Sequence, residues 1–197
     1  LSAMMNRHAL VSVVEEAMGV ELSDRIKYIR TIMDELQRID SHLLFYSCCA
    51  QDLGALTAFI YGMRDREEVL NVMEETTGGR LIQNYYRIGG CQEDIDVNFV
   101  SNVKKLCKYL KPMFKEYDDI FTGNIITNNR FVGVGKLSTA DAISYGCTGG
   151  TGRASGWHND VRKNHAYDMY DKIDWQEVTY NHGDCFDRYM VRLGELR

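Results

Sequence analysis

The chain has 197 residues, 45% hydrophobic and 26% charged, with a net charge of −5. That suits one globular domain over residues 1–197 and argues against disorder. The acidic balance argues against non-specific nucleic-acid binding, which needs a basic surface, and the single proline, Pro112, favours long helices over a many-turned β-sandwich.

Residues Ala3 to Met18 predict a helix closed by Gly19. Ser23 is placed to cap a second helix, with Asp24 in its first turn. Its apolar stripe is Ile26, Ile29, Ile32/Met33, Leu36 and Ile39/Leu43, leaving Arg30, Asp34, Glu35 and Arg38 for the polar face. From His42 to Met63 nearly every residue is apolar or small, and Asp52 is the one formal charge. The stretch is long enough for a membrane span, but a central Asp costs about 2.5–3.5 kcal/mol on insertion scales. A helix buried in a helical domain, or two helices around Gly54, is the better reading. Arg64 to Glu68 continues in helical register as a solvated face, and Thr76-Thr-Gly-Gly79 ends the unit.

Arg80 to Asp96 is turn-rich, with a short hairpin predicted around Gly89-Gly90. Asp96 caps the next helix, whose stripe runs Phe99/Val100, Val103, Leu106/Cys107, Leu110, Met113/Phe114, Tyr117 and Ile120/Phe121. Pro112 predicts a kink in it and Gly123 its end. Asn124 to Arg130 reads as one or two helical turns, Gly133-Val-Gly135 as loop, and Thr139 to Tyr145 as a short helix capped by Ser138. Cys147 to Gly156 reads as glycine-rich turns and Ile173 to Val178 as a strand. A last helix is predicted from His182 to Arg197, with Phe186, Met190 and Leu193 on one face.

The six cysteines include no CxxC pair, and adjacent Cys48-Cys49 cannot clip a fold without strain. They read as reduced thiols of a cytosolic or matrix-like compartment, without the close spacing of zinc or Fe–S ligands. His8, Glu15 and Glu16 break up Leu1 to Gly19, so this stretch does not read as a signal peptide. Leu1 is not a natural start, so the chain reads as the central fragment of a longer subunit.

Several chemical motifs fail in detail. Gly133-Val-Gly-Lys136 has Arg130 and Leu137 where a phosphate loop needs Gly and Ser/Thr. Gly150-Thr-Gly152 lacks the third glycine of a dinucleotide fingerprint. No two histidines have helical metal spacing, and His42 reads as a satisfied core histidine. The Asp/Arg pairs among Arg153, Asp160, Arg162, Asp184, Asp187, Arg188 and Arg192 read as structural ion pairs. Asp52 stands out. On a continuous helix it would share a face with Phe45, Cys48, Leu56 and Phe59, and burial would perturb its titration. Two readings stand: a cap that starts a new helix, or a functional carboxylate.

One resemblance covers the chain end to end. Arg30 to Leu44, Asp52-Leu-Gly-Ala-Leu-Thr57, Arg64-Asp-Arg-Glu67, Asn84-Tyr-Tyr-Arg-Ile-Gly-Gly90, Thr148-Gly-Gly150, Arg153-Ala-Ser-Gly156, Asp160-Val-Arg-Lys163 and His182-Gly-Asp-Cys-Phe-Asp-Arg188 resemble the D-subunit family of NADH-quinone oxidoreductase, related to hydrogenase large subunits. The resemblance implies a mainly α fold, the helical-bundle core of that family, with small β elements in the loops. It implies a quinone-site core subunit of a membrane-associated respiratory enzyme that passes electrons from NADH to quinone, coupled to proton translocation. No metal and no cofactor is implied on this chain. NADH, FMN and Fe–S clusters belong to partner subunits, quinone is the substrate, and NAD binding is not expected here. The implied partners are the B subunit with the terminal cluster, the C subunit and the membrane-arm subunits, on the cytoplasmic or matrix side of the membrane.

By position, Asp52 matches a carboxylate that hydrogen-bonds a quinone-head histidine, and Arg87, Gly89 and Gly90 match a cluster-facing, quinone-cavity segment. A carboxylate–imidazole pair is a fitting proton relay. The chain departs from the pattern at Ile82-Gln83, where many relatives carry a redox-linked histidine. The resemblance also puts the quinone-head histidine and tyrosine before Leu1 and more of the cavity beyond Arg197, so the fragment alone is expected not to turn over. Two rival readings are the large subunit of a membrane-bound hydrogenase or a related non-NADH donor complex, and a purely structural helical scaffold.

Overall fold

The structure is a computed structural model that describes residues 2–197. Its architecture is mainly α, with one two-stranded sheet. The elements are α1 (Ala3–Met18), α2 (Asp24–Asp52), α3 (Leu56–Thr77), β1 (Tyr86–Arg87), β2 (Gly90–Cys91), α4 (Phe99–Tyr117), α5 (Ile125–Phe131), α6 (Thr139–Ser144), α7 (Gly149–Ala154), α8 (Val161–Asn164) and α9 (Cys185–Leu196). Two compact units are built from these. The first comprises residues 1–47 and 60–112, the second residues 48–59 and 113–197. Among the described residues no helix is long and apolar enough to cross a membrane.

In the first unit, Met33, Leu36, Leu43 and Tyr46 of α2 are buried, as are Val69, Leu70 and Met73 of α3 and Leu106 and Leu110 of α4. The stripe spacing therefore marks the faces that leave water. Gly62 lets α3 come close to α2: a Cβ there would stand 2.3 Å from Ser47 Oγ and 2.7 Å from a Tyr46 ring carbon. Two polar assignments need correction. Arg30 and Asp34, expected on the exposed face of α2, are buried, because each has partners brought in from other elements. Asp65, expected on a solvated face, is also buried; it bonds Arg64 at 2.7 Å and Tyr109 at 2.8 Å. Arg66 pairs with buried Asp40 at 2.7 Å. The Glu35–Arg38 surface pair forms at 3.1 Å, and His42 is half-buried rather than in the core.

In the second unit, an aromatic cluster centres on Tyr189 of α9. Its ring lies 5.6 Å from Phe121 and 6.1 Å from Phe131, and its hydroxyl lies 2.8 Å from Thr122 Oγ1. Helix α4 continues through Pro112 to Tyr117, and a π-helical turn, Asp118–Thr122, carries the chain to Gly123. Ser138 caps α6 through its side chain, as expected, and Asn124, read as a helical residue, caps α5 in the same way. Three expectations fail here. Gly149–Ala154 forms helix α7 despite its glycines, because α7 packs on α9 and buries Gly152, Arg153 and Ala154. A Cβ on Gly152 would stand 2.3 Å from the Cys147 carbonyl oxygen, so the approach requires glycine. Ile173 to Val178 forms no strand, having no neighbouring strand to pair with among the described residues. The last helix starts at Cys185, capped by Asp184, and buries Tyr189, Val191, Leu193 and Leu196 while Phe186 and Met190 stay half-buried.

Candidate functional site

The predicted hairpin forms, with Tyr86 paired to Cys91 and Arg87 to Gly90 across an Ile88-Gly89 tip. Gly89 sits at φ +87°, where a side chain would be strained. The tip is held from beneath by two buried charges. Arg30 bonds Glu15 through both guanidinium nitrogens, at 2.8 and 2.7 Å. Its Nη2 also donates to the carbonyls of Arg87 at 3.0 Å and Gly90 at 2.9 Å. Glu15 Oε1 in turn accepts the Gly89 N–H at 2.7 Å. The Arg30 guanidinium bonded to Glu15 holds that carboxyl below its ordinary value, against an upward push from burial. A planar fork can serve one carboxylate and two carbonyls at once, which an ammonium group cannot.

A second buried set adjoins the first strand. Asp34 Oδ2 lies 2.6 Å from His8 Nδ1, and Asp34 Oδ1 accepts the Tyr86 hydroxyl at 2.7 Å. The His8 and Tyr86 rings lie 4.8 Å apart. Sequence spacing did not point to Glu15, His8 or Tyr86, and it assigned Arg30 and Asp34 to solvent. The available signal was that Arg30 and Asp34 flank Met33 and Ile29 on the buried side of the stripe. Of the expected hairpin residues, the Arg87 side chain is exposed and bonds Gln92 at 3.0 Å, Gly89 is exposed and Gly90 is buried. At the Ile82-Gln83 departure, Ile82 is 76% exposed and Gln83 is buried.

Asp52 is not sunk among apolar side chains as expected; it is exposed. The reason is a helix end. Gly54 at φ +85° sends its N–H to the Gln51 carbonyl (2.8 Å), and the Ala55 N–H returns to Ala50 (2.8 Å), closing α2 with a Schellman motif. Asp52 is thus the last residue of α2 rather than the first of a new helix, and Leu56 and Phe59 belong to α3. Among the described residues its carboxylate has no hydrogen-bond or ion-pair partner. It stands at the negative end of a helix dipole, where an anion is disfavoured. One turn back, the Cys49 thiol is pushed up to about 11, by burial first and by the Asp52 charge second.

A further buried cluster of charges joins α7, α8 and α9. Arg162 bonds Asp160 at 2.7 Å and Glu195 at 3.0 Å, and Arg153 reaches Glu195 at 2.5 Å and Asp160 at 3.1 Å. Burial raises the Asp160 carboxyl, but bonds and charge from Arg162 and Arg153 together bring it below its ordinary value. Glu195 is the member of this cluster that sequence pairing missed. None of the six cysteines is joined in a disulfide, and among the described residues no group of His, Cys, Asp and Glu converges as a metal site.

The family model for the respiratory-chain NADH dehydrogenase 49 Kd subunit matches residues 52–197. The chain belongs to this family. Over its whole length it is 64% identical to the C/D subunit of the NADH-quinone oxidoreductase of Bacteroides thetaiotaomicron. It is 41% identical to the H subunit of an NAD(P)H-quinone oxidoreductase of Synechococcus and, also over its whole length, 40% identical to the D subunit of the NADH-quinone oxidoreductase of Desulfotalea psychrophila. The chain spans 37% of the length of the Bacteroides relative and 53% of that of the Desulfotalea relative.

Proposed function

We propose that this chain is part of the quinone-reducing core of an NADH-quinone oxidoreductase. Partner subunits hold the NADH site, the FMN and the Fe–S clusters, and the B subunit bears the cluster that hands electrons to quinone. The assembly sits peripherally on the cytoplasmic or matrix side of an energy-coupling membrane, and quinone reduction there is coupled to proton translocation. Asp52 accepts a hydrogen bond from an imidazole outside residues 1–197 and steadies that ring as it protonates reduced quinone. The hairpin Arg87–Gly90 is the segment that faces the terminal cluster. The fragment alone carries out no turnover.

The observation that carries this reading is the partnerless Asp52 carboxylate at a helix C-terminus. Nothing in the chain's own stability accounts for an anion there, since the dipole opposes it. An exposed carboxylate without a partner among the described residues is open to a cation or donor that arrives from outside. The test is Asp52→Asn in the assembled complex. Quinone reduction should fall by a factor of at least about 10² while Fe–S reduction by NADH is intact. An unchanged rate would leave the chain a helical scaffold.

A further inference from the structure

We propose that Arg30, with Glu15, is a positioning residue for quinone reduction: the buried pair fixes the backbone of the Arg87–Gly90 hairpin in the conformation that electron transfer requires. This rests on the proposed role of the hairpin and adds two residues to it. The connectivity is specific. One guanidinium holds the carbonyls on both arms, Arg87 and Gly90, while the carboxylate it neutralises holds the N–H at the tip, Gly89. Three of the hairpin's backbone polar groups are thus tied to one ion pair on α1 and α2. The strands are only two residues each, too short to hold a conformation by themselves. Arg30 has no exposed surface, so it touches no partner and acts only through the loop. The tip above it is open: Ile88 is 54% exposed and Gly89 has no atom within 4 Å of where a Cβ would stand. A docking loop must keep its shape while presenting backbone and a side chain outward, and the pair beneath supplies that rigidity.

The test uses the membrane-bound complex carrying Arg30→Lys, which keeps the charge but loses the planar fork. Amide exchange at Gly89 should quicken about tenfold as the tip loosens. The kcat for quinone reduction should fall about fivefold, with KM for quinone within about twofold of wild type, because alignment rather than binding is lost. Complex content and Fe–S reduction by NADH should be unchanged. Gly89→Ala strains the tip from its own side without touching the pair, and should lower kcat in the same sense. It keeps the inference falsifiable if Arg30→Lys fails to assemble. Unchanged exchange in Arg30→Lys overturns the inference, as does faster exchange with full kcat. Asp52→Asn, run in parallel, should slow reduction without altering Gly89 exchange. If that variant is silent while Arg30→Lys is slow, the role of Asp52 falls and the positioning role stands.

Discussion

The hairpin's foundation and the end of α2 treat charge in opposite ways. Beneath the hairpin, Glu15, Arg30, Asp34 and His8 are all buried, and each is bonded to another group. At the end of α2, Asp52 is exposed and has no partner among the described residues. Intuition from sequence runs the other way: it looks for chemistry in the buried carboxylate and takes exposed charge as solvation. Here the buried charges build a platform beneath the hairpin, and the exposed one faces water. Desolvation explains the difference, because a charge taken from water must be matched inside the fold, whereas an exposed charge can wait.

The sharpest way to break that contrast is to remove one member of the platform. Arg30→Met leaves Glu15 buried and uncompensated, and should destabilise the chain by about 3–5 kcal/mol in urea unfolding. Asp52→Asn should change stability by less than about 0.5 kcal/mol. Equal effects would erase the distinction. Gly62→Ala should cost about 1–3 kcal/mol by forcing α3 off α2, measured the same way. Gly89→Ala meets no clash and should cost only about 1 kcal/mol of backbone strain. Asp52→Lys reverses the sign of the charge at the helix end. It should stabilise the chain by about 0.3–1 kcal/mol while abolishing quinone reduction in the complex. Lower stability would show that Asp52 has a structural partner after all.

Acid provides a further handle on the platform. The Glu15 carboxyl is held below its ordinary 4.5, chiefly by the bond from Arg30. A depressed carboxyl stabilises the fold fully above that ordinary value and loses its contribution as pH falls through the lower folded one. The gap in urea midpoint between wild type and Glu15→Gln should therefore narrow on going from about pH 6 to about pH 3. A constant gap would mean that the charge on Glu15 contributes nothing.

Much of the frame could be read from sequence because its signals are local. Gly19 and Gly54 close helices where their neighbours place them, and Ser138 caps the helix that follows it. Gly89-Gly90 turns the hairpin. What could not be read depends on distant partners. Arg30 looks like a surface residue until Glu15, Arg87 and Gly90 are brought to it from three other elements. Asp34 needs His8, 26 positions away, and Tyr86, 52 positions away. Helix α7 runs against the propensity of its glycines because packing on α9 outweighs it. For Asp52 the residue was found and its surroundings were not: Gly54, visible two positions on, ends the helix and turns the carboxylate outward.

The chain has two tryptophans, Trp157 and Trp175, and both lie in the second unit. Trp175 carries Arg162 over its ring at 4.3 Å and Lys163 at 4.9 Å. Indole fluorescence of this chain is therefore a one-sided witness, responsive to the stack of cations around residue 175. The loop at Gly89 carries no indole of its own, so its loosening is best followed through the tyrosines at 85 and 86 or by isotope labelling at the glycine itself.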